Sequence, residues 1–359
     1  MPYKIKPSKT PNNQNRKSIS EEELADLKVS VLAAQLAYSD LNKGAEKKLY
    51  KESLEALKKQ LGEEVEPIPF YKGIQKNRNG GGINVLAGYV IPTSKGILIT
   101  YHGTQPSKYF DEKNGPEAAK YLAQFKMKRV LNRFKDGIFG TGAEEIYNDL
   151  NNLRTTVQFQ GNTKDFIMHK GFYDEYMSSK DNLFMVINNL EPQTRAQPIK
   201  FSGHSLGAAA CQIAALDFAK TTNFDIGSVQ TFGGPRVFSP ETAKEYDEIL
   251  GDKTLRVMHK TDLVARIPPW GLFQHAGRGL QVGVFNTILG SHDTTNYTKL
   301  TNKVKANHKI IGETSWNYAI AKAFESVKQY AESVKHATIS AFKQVFDRGQ
   351  SRSSHIPDR

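Results

Sequence analysis

Residues 203–207 read Gly-His-Ser-Leu-Gly, a serine held between two glycines at a spacing that suits a tight strand-to-helix turn. Pro198–Ser202 ahead of it reads as a strand and the Ala-rich Leu206–Ala219 behind it as a buried helix. In such a turn the glycines let the chain pass close to its neighbours while the serine oxygen stands clear. The pattern alone is weak, because a serine opening a helix is also a plain N-cap; the strand before and the helix after are what raise it. A hydroxyl needs a base to take its proton, and the base needs an acid to orient it. Asp262 directly follows the strand-like Thr254–His259, where carboxyl ends of strands line active sites. Asp247 and Asp252 lie in or beside a helix and read as solvated surface charges. Five histidines follow Asp262. His336 and His355 fall in a C-terminal helix and tail, and His308 lies among lysines. His292, in the loop Gly290–Asp293, is preferred as the base; His275, which opens the strand-like Gln274–Val284, remains the alternative. The chemistry implied is acyl transfer through a serine ester. Its oxyanion needs two donors, for which the amide of Leu206 and Thr104, just beyond the strand Gly96–Tyr101, are the candidates. A turn without function at His102–Thr104 stays open.

The elements that must hold these residues alternate. Ser20 and Glu23 form a capping-box pattern, and Leu24, Leu27, Val31, Ala34 and Tyr38 keep helical spacing after it. A second helix is predicted over Ala45–Leu61, a turn between strands over Asn77–Gly82, and strands over Ile83–Ile91, Gly96–Tyr101, Ser228–Phe232 and Thr254–His259. Strands alternating with helices predict an α/β fold, a mostly parallel central sheet flanked by helices. The expected organisation is a disordered basic tail (1–18), one domain (19–310) with an insertion or lid at about 105–145, a long C-terminal amphipathic helix (311–346) and a flexible tail (347–359). The helix rests on the stripe Trp316, Ile320, Phe324, Val327, Ala331, Val334, Ala341 and Val345. Packing on the protein's own body, on a partner helix or on a membrane surface are all open to it, its mixed charges arguing against a purely membrane-seeking helix.

A chain of 359 residues, 38% hydrophobic and 10% aromatic, has enough apolar material for a large core. Its net charge of +12 favours anionic membrane, nucleic acid or an acidic protein. Lys120, Lys126, Lys128, Arg129, Arg133 and Lys135 cluster without an acid in Ala118–Lys135, which suits two short helices meeting anionic lipid headgroups or, equally, a solvated insertion. The single cysteine, Cys211, reads as a small core residue that forms no internal disulfide. No metal-ligand spacing occurs, so neither metal nor cofactor is expected. The polar, basic start and the lack of a long apolar run lead to the expectation of a cytoplasmic or non-classically exported protein with peripheral membrane association. The expected partner is a lipid at an anionic surface, and no nucleic acid is expected.

Taken together, the motifs resemble the class 3 (fungal-type) lipase family. Tyr101-His102-Gly103-Thr104 is similar to its Phe-Arg-Gly-Thr/Ser, Ile146–Leu150 to its aromatic-x-x-Asp-Leu, and His169–Phe172 to its His-x-Gly-Phe. Gly203–Gly207 matches its Gly-His-Ser-Leu-Gly, Thr231–Val237 its Thr-Phe-Gly-x-Pro-Arg-Val, and Asp262 with Arg266–Pro269 its acid before a Pro-containing segment. His292 and Tyr297 resemble its closing His and Tyr. The resemblance covers roughly residues 25–300. It implies an α/β-hydrolase fold, a triad of Ser205, Asp262 and His292, oxyanion donors at Thr104 and Leu206, and cleavage of lipid acyl esters by a phospholipase A1 or acylglycerol lipase activity. The basic surface tilts the expectation toward phospholipid. A carboxylesterase for small hydrophobic esters and a non-catalytic lipase-like scaffold are the alternatives. His102 departs from the family's usual Arg, and the segment Gln105–Glu145 is longer than its usual lid.

Overall fold

The computed structural model describes residues 18–39, 44–76, 82–103, 153–159, 163–260, 262, 264–268, 272–283 and 292–311. The expected tails, the insertion at 105–145, the IYNDL motif, Thr104 and the C-terminal helix lie outside the described residues, apart from Ser18 and the Ile310–Ile311 strand at their borders.

Among the described residues eight strands form one sheet. In chain order they are β1 (Ile68–Lys76), β2 (Gly82–Thr93), β3 (Gly96–Tyr101), β6 (Ile199–His204), β7 (Ile226–Phe232), β8 (Thr254–His259), β9 (Arg278–Val282) and β10 (Ile310–Ile311), and they lie side by side in that order. A separate antiparallel pair joins β4 (Arg154–Val157) to β5 (Phe166–His169). From β3 to β9 every pairing is parallel, while β1, β2 and β10 add antiparallel edges. The central strands are buried over most of their length because both faces are covered, as parallel sheets require. Alternation sorts their side chains: Ile97 and Ile99 enter one core, and Leu98 between them enters another.

On the first face lie α3 (Lys170–Asn188), the short α4 (Pro192–Arg195) and α5 (Leu206–Thr221). Residues 206–218 of α5 are buried along their whole length, and its small side chains let it press on β6 and β7. On the other face are α1 (Glu21–Leu36), α2 (Gly44–Leu61) and α7 (Thr294–Thr301), with α6 (Pro240–Leu250) between β7 and β8 in sequence. The capping box of α1 forms in both directions, Ser20 Oγ accepting from Glu23 N–H and Glu23 accepting from Ser20 N–H.

Two local expectations are corrected. Asp247 is not a solvated charge: its carboxylate accepts the Gly277 N–H, tying α6 to the entry of β9. His275 does not open a strand that reaches back to Gln274, since β9 begins at Arg278 and Gln274 makes only an isolated bridge with Phe238. Among the described residues no helix is long and apolar enough to cross a membrane.

Candidate active site

The serine sits where β6 stops and α5 starts. Ser205 has φ 59° and ψ −125°, a backbone region that non-glycine residues enter only when their surroundings force them. The forcing is visible. Ser205 N–H is held by Phe232 O at 3.0 Å, and a Cβ on Gly203 would lie 2.4 Å from Gly207 O. A Cβ on Gly207 would lie 2.4 Å from Tyr101 O. The two glycines of the motif therefore serve close backbone passage, and the second brings the end of β3 against the elbow. Leu206 is the first residue of α5, so its N–H has no carbonyl one turn back to donate to.

Asp262 is fully buried just past β8. Its Oδ1 accepts the Val264 N–H at 2.8 Å. Its Oδ2 accepts from two groups, His292 Nδ1 at 2.8 Å and the Tyr297 hydroxyl at 2.6 Å. The Tyr297 oxygen in turn accepts the His259 N–H at 2.9 Å, and burial beside Asp262 pushes its phenol well above the usual range. Gly233, at φ +58°, makes room for this arrangement, since a Cβ there would stand 2.7 Å from Asp262 Oδ2. Arg236 donates to the carbonyls of Arg266 and Pro268, clamping the loop that leaves Asp262. The Pro-Arg-Val and Arg-Ile-Pro segments are thus two sides of one brace.

His292 closes the set. Asp293 caps α7 through the Thr295 N–H at 2.7 Å, which fixes the residue just before the helix, and Tyr297 projects from the same helix toward Asp262. His292 Nε2 lies 2.8 Å from Ser205 Oγ. Serine, imidazole and carboxylate are therefore in one hydrogen-bonded line, 87 and 30 residues apart in sequence. With the carboxylate accepting at Nδ1, the imidazole presents a bare Nε2 to the hydroxyl.

His275 is elsewhere. It is buried, with Nε2 2.8 Å from Ala265 O, and burial together with Arg256 and Arg236 holds its pKa well below the usual histidine range. His169 of the His-x-Gly-Phe motif is likewise buried, stacked 4.0 Å from the Phe172 ring, and burial lowers its pKa to about 3. A groove of about 700 Å³ between α3 and the far end of α5, lined by residues such as Phe159, Tyr173, Phe184 and Thr221, is about a helix length from Ser205 and takes no part in this constellation.

Two residues at the site carry no site role in the sequence reading. Tyr38 reads as the last member of the apolar stripe of α1, yet its hydroxyl lies 2.7 Å from His204 Nδ1. A polar tip ending a core stripe was the available signal. Gly233 stands in the Thr231–Val237 motif, but its purpose appears only when Asp262 and Tyr297 meet over it.

The serine on its turn at the end of a central parallel strand, with the imidazole and buried acid from loops beyond later strands, defines an α/β-hydrolase. The sequence profile described as lipase (class 3) matches residues 139–272. Over that stretch the chain is similar to the class 3 lipases. It is 31% identical over 121 residues to a secreted mono- and diacylglycerol lipase of Gibberella zeae, the match covering 31% of this chain and 30% of that one. With a secreted mono- and diacylglycerol lipase of Malassezia globosa it shares 31% over 99 residues, 28% of this chain and 33% of the relative. The match therefore spans about a third of these relatives' length. Among solved structures, lipase II from Rhizopus niveus aligns over 74% of this chain and 82% of its own at 17% identity and a TM-score of 0.48.

These relatives correct the expected cytoplasmic or non-classically exported location, since those of Gibberella and Malassezia are named as secreted. The cysteine count carried no information on this point. A lone thiol buried in α5 has no partner to oxidise with, so the fold is the same in reducing and oxidising surroundings.

Proposed function

We propose that this chain is a serine hydrolase that cleaves acyl esters of glycerolipids. Ser205 Oγ attacks the acyl carbonyl carbon while His292 Nε2 takes its proton and Asp262 holds the imidazole. The tetrahedral oxyanion is stabilised by the Leu206 amide and by Thr104. His292 then delivers the proton to the departing alcohol, and water hydrolyses the acyl-enzyme by the same steps in reverse order of roles. The observation that supports this reading is the His292 ring bridging Ser205 Oγ and Asp262 Oδ2 at 2.8 Å on each side.

The relatives' names move the substrate away from the phospholipid that net charge favoured and toward mono- and diacylglycerols, and their secretion favours export of this chain too. An anionic membrane surface remains a proposed setting rather than the substrate itself. The test is fluorophosphonate labelling combined with a panel of mono-, di- and triacylglycerols and phosphatidylcholine, for wild type and Ser205→Ala. Labelling lost in the variant and turnover highest on partial glycerides are expected. A folded wild type that neither labels nor hydrolyses any ester would leave a non-catalytic scaffold in its place.

A further inference from the structure

The side chain of Tyr38, in the turn that follows α1, touches both walls of the site. Its hydroxyl is 2.7 Å from His204 Nδ1, and its ring centre lies 5.6 Å from that of His204 and 5.2 Å from that of His102. A Cβ added to Gly103 would fall 2.0 Å from the Tyr38 oxygen and 2.7 Å from His204 O. His204, 3% exposed, precedes the nucleophile, and its ring centre is 4.6 Å from that of His292, the planes inclined by 34°. We propose that Tyr38 is a positioning residue of this site: its hydroxyl anchors His204 through Nδ1, and its ring is the wall on which Gly103 closes. One side chain thereby fixes both the turn that carries Ser205 and the strand end that leads to Thr104.

The inference rests on Ser205, His292 and Asp262 being the hydrolytic set. The Tyr38 hydroxyl at Nδ1, together with a contact to the His292 backbone, orients this ring. Burial and the neighbouring His292 hold His204 well below the usual histidine pKa, and burial with Asp293 holds the Tyr38 phenol well above its own. Both partners are therefore neutral, and the contact is a directional hydrogen bond between uncharged groups. A ring set this way is a shelf beneath His292. If it tilts, the 2.8 Å contact between His292 and Ser205 goes with it.

The experiment uses ¹⁵N-histidine-labelled full chain and Tyr38→Phe, which keeps the ring and removes the hydroxyl. Wild-type His204 is expected as a single neutral tautomer, and the variant as a mixture. With a p-nitrophenyl ester, kcat is expected to fall about five- to tenfold, the equivalent of one hydrogen bond, with KM kept within about twofold. A purely structural tyrosine would lower the melting temperature and leave tautomer and kcat alone, and that result overturns the proposal. So does a tautomer mixture in wild type, a measurement that stands even if the variant does not fold. Failure of Ser205 to label in wild type would instead remove the hydrolase reading, while the spectrum still judges the anchor.

Discussion

Replacing Tyr297 by Phe removes one oxygen with two bonds to buried groups. The hydroxyl donates to Asp262 Oδ2 at 2.6 Å and accepts the His259 N–H at 2.9 Å. A hydrogen bond to a charged group contributes about 1.5–3 kcal/mol, and a buried donor left without its acceptor costs about 1–3 kcal/mol. The two losses share one atom and are not additive, so a destabilisation of about 2–4 kcal/mol is expected. For a chain of this size that corresponds to a melting temperature lower by about 3–5 °C. The effect on turnover is smaller than that of touching the acid directly. Asp262 keeps the Val264 N–H and His292 Nδ1, so kcat should drop about tenfold, against about 10⁴-fold for Asp262→Asn, which offers the imidazole the wrong tautomer. Thermal melts and esterase kinetics on the three proteins decide it. A Tyr297→Phe variant melting within about 1 °C of wild type would show that the buried carboxylate does not depend on this phenol, refuting the reasoning.

Ser205→Gly is expected to abolish fluorophosphonate labelling and yet raise stability by about 1 kcal/mol, because glycine accepts the φ of 59° without strain; a less stable variant contradicts this. His292→Ala should lose turnover with little change in melting temperature, whereas His275→Ala should lose stability and keep turnover, the reverse pattern exchanging their roles. Folding stability should decline below neutral pH. His169 binds a proton near 6.5 when unfolded but only at about 3 when folded, so its contribution is complete above 6.5 and is lost as pH falls toward 3. Between about pH 6 and about pH 4 this group alone removes about 2 kcal/mol, with His204 and His275 acting in the same direction. His169→Phe should flatten denaturant-measured stability across that interval, and an unchanged slope would exclude the mechanism.

What could be read from the sequence depended on how far apart the cooperating residues lie. The helix α1 declares itself locally, through Ser20, Glu23 and a repeating apolar face. The elbow is equally local, since both glycines and the serine fall within five residues. The strand ahead of the Asn77–Gly82 turn was implied but not bounded, because β1 carries Pro69 and a buried Lys72, whose ammonium is paired with Glu175 of α3, a partner no local pattern reveals. Asp262 and His292 were found through chain order and family resemblance; nothing in their neighbours' chemistry announces a contact across 30 residues. Tyr38 and His204 are 166 residues apart and meet only because α1 crosses the sheet at β6. The roles of the elements were legible, and the long-range braces between them were not.

Cys211 gives the molecule an internal reporter. Its thiol is fully buried in α5, two turns beyond Ser205, donates to Ser202 O at 2.7 Å, and is pushed far above the ordinary thiol pKa by burial. No alkylating reagent reaches it while α5 stays docked, and no second cysteine competes for label. The rate at which the native protein takes up one equivalent of iodoacetamide therefore times the opening of the very layer that supports the nucleophile. Ligands that tighten the site would slow that clock, so affinity for a non-hydrolysed lipid analogue becomes measurable from a single sulfur atom.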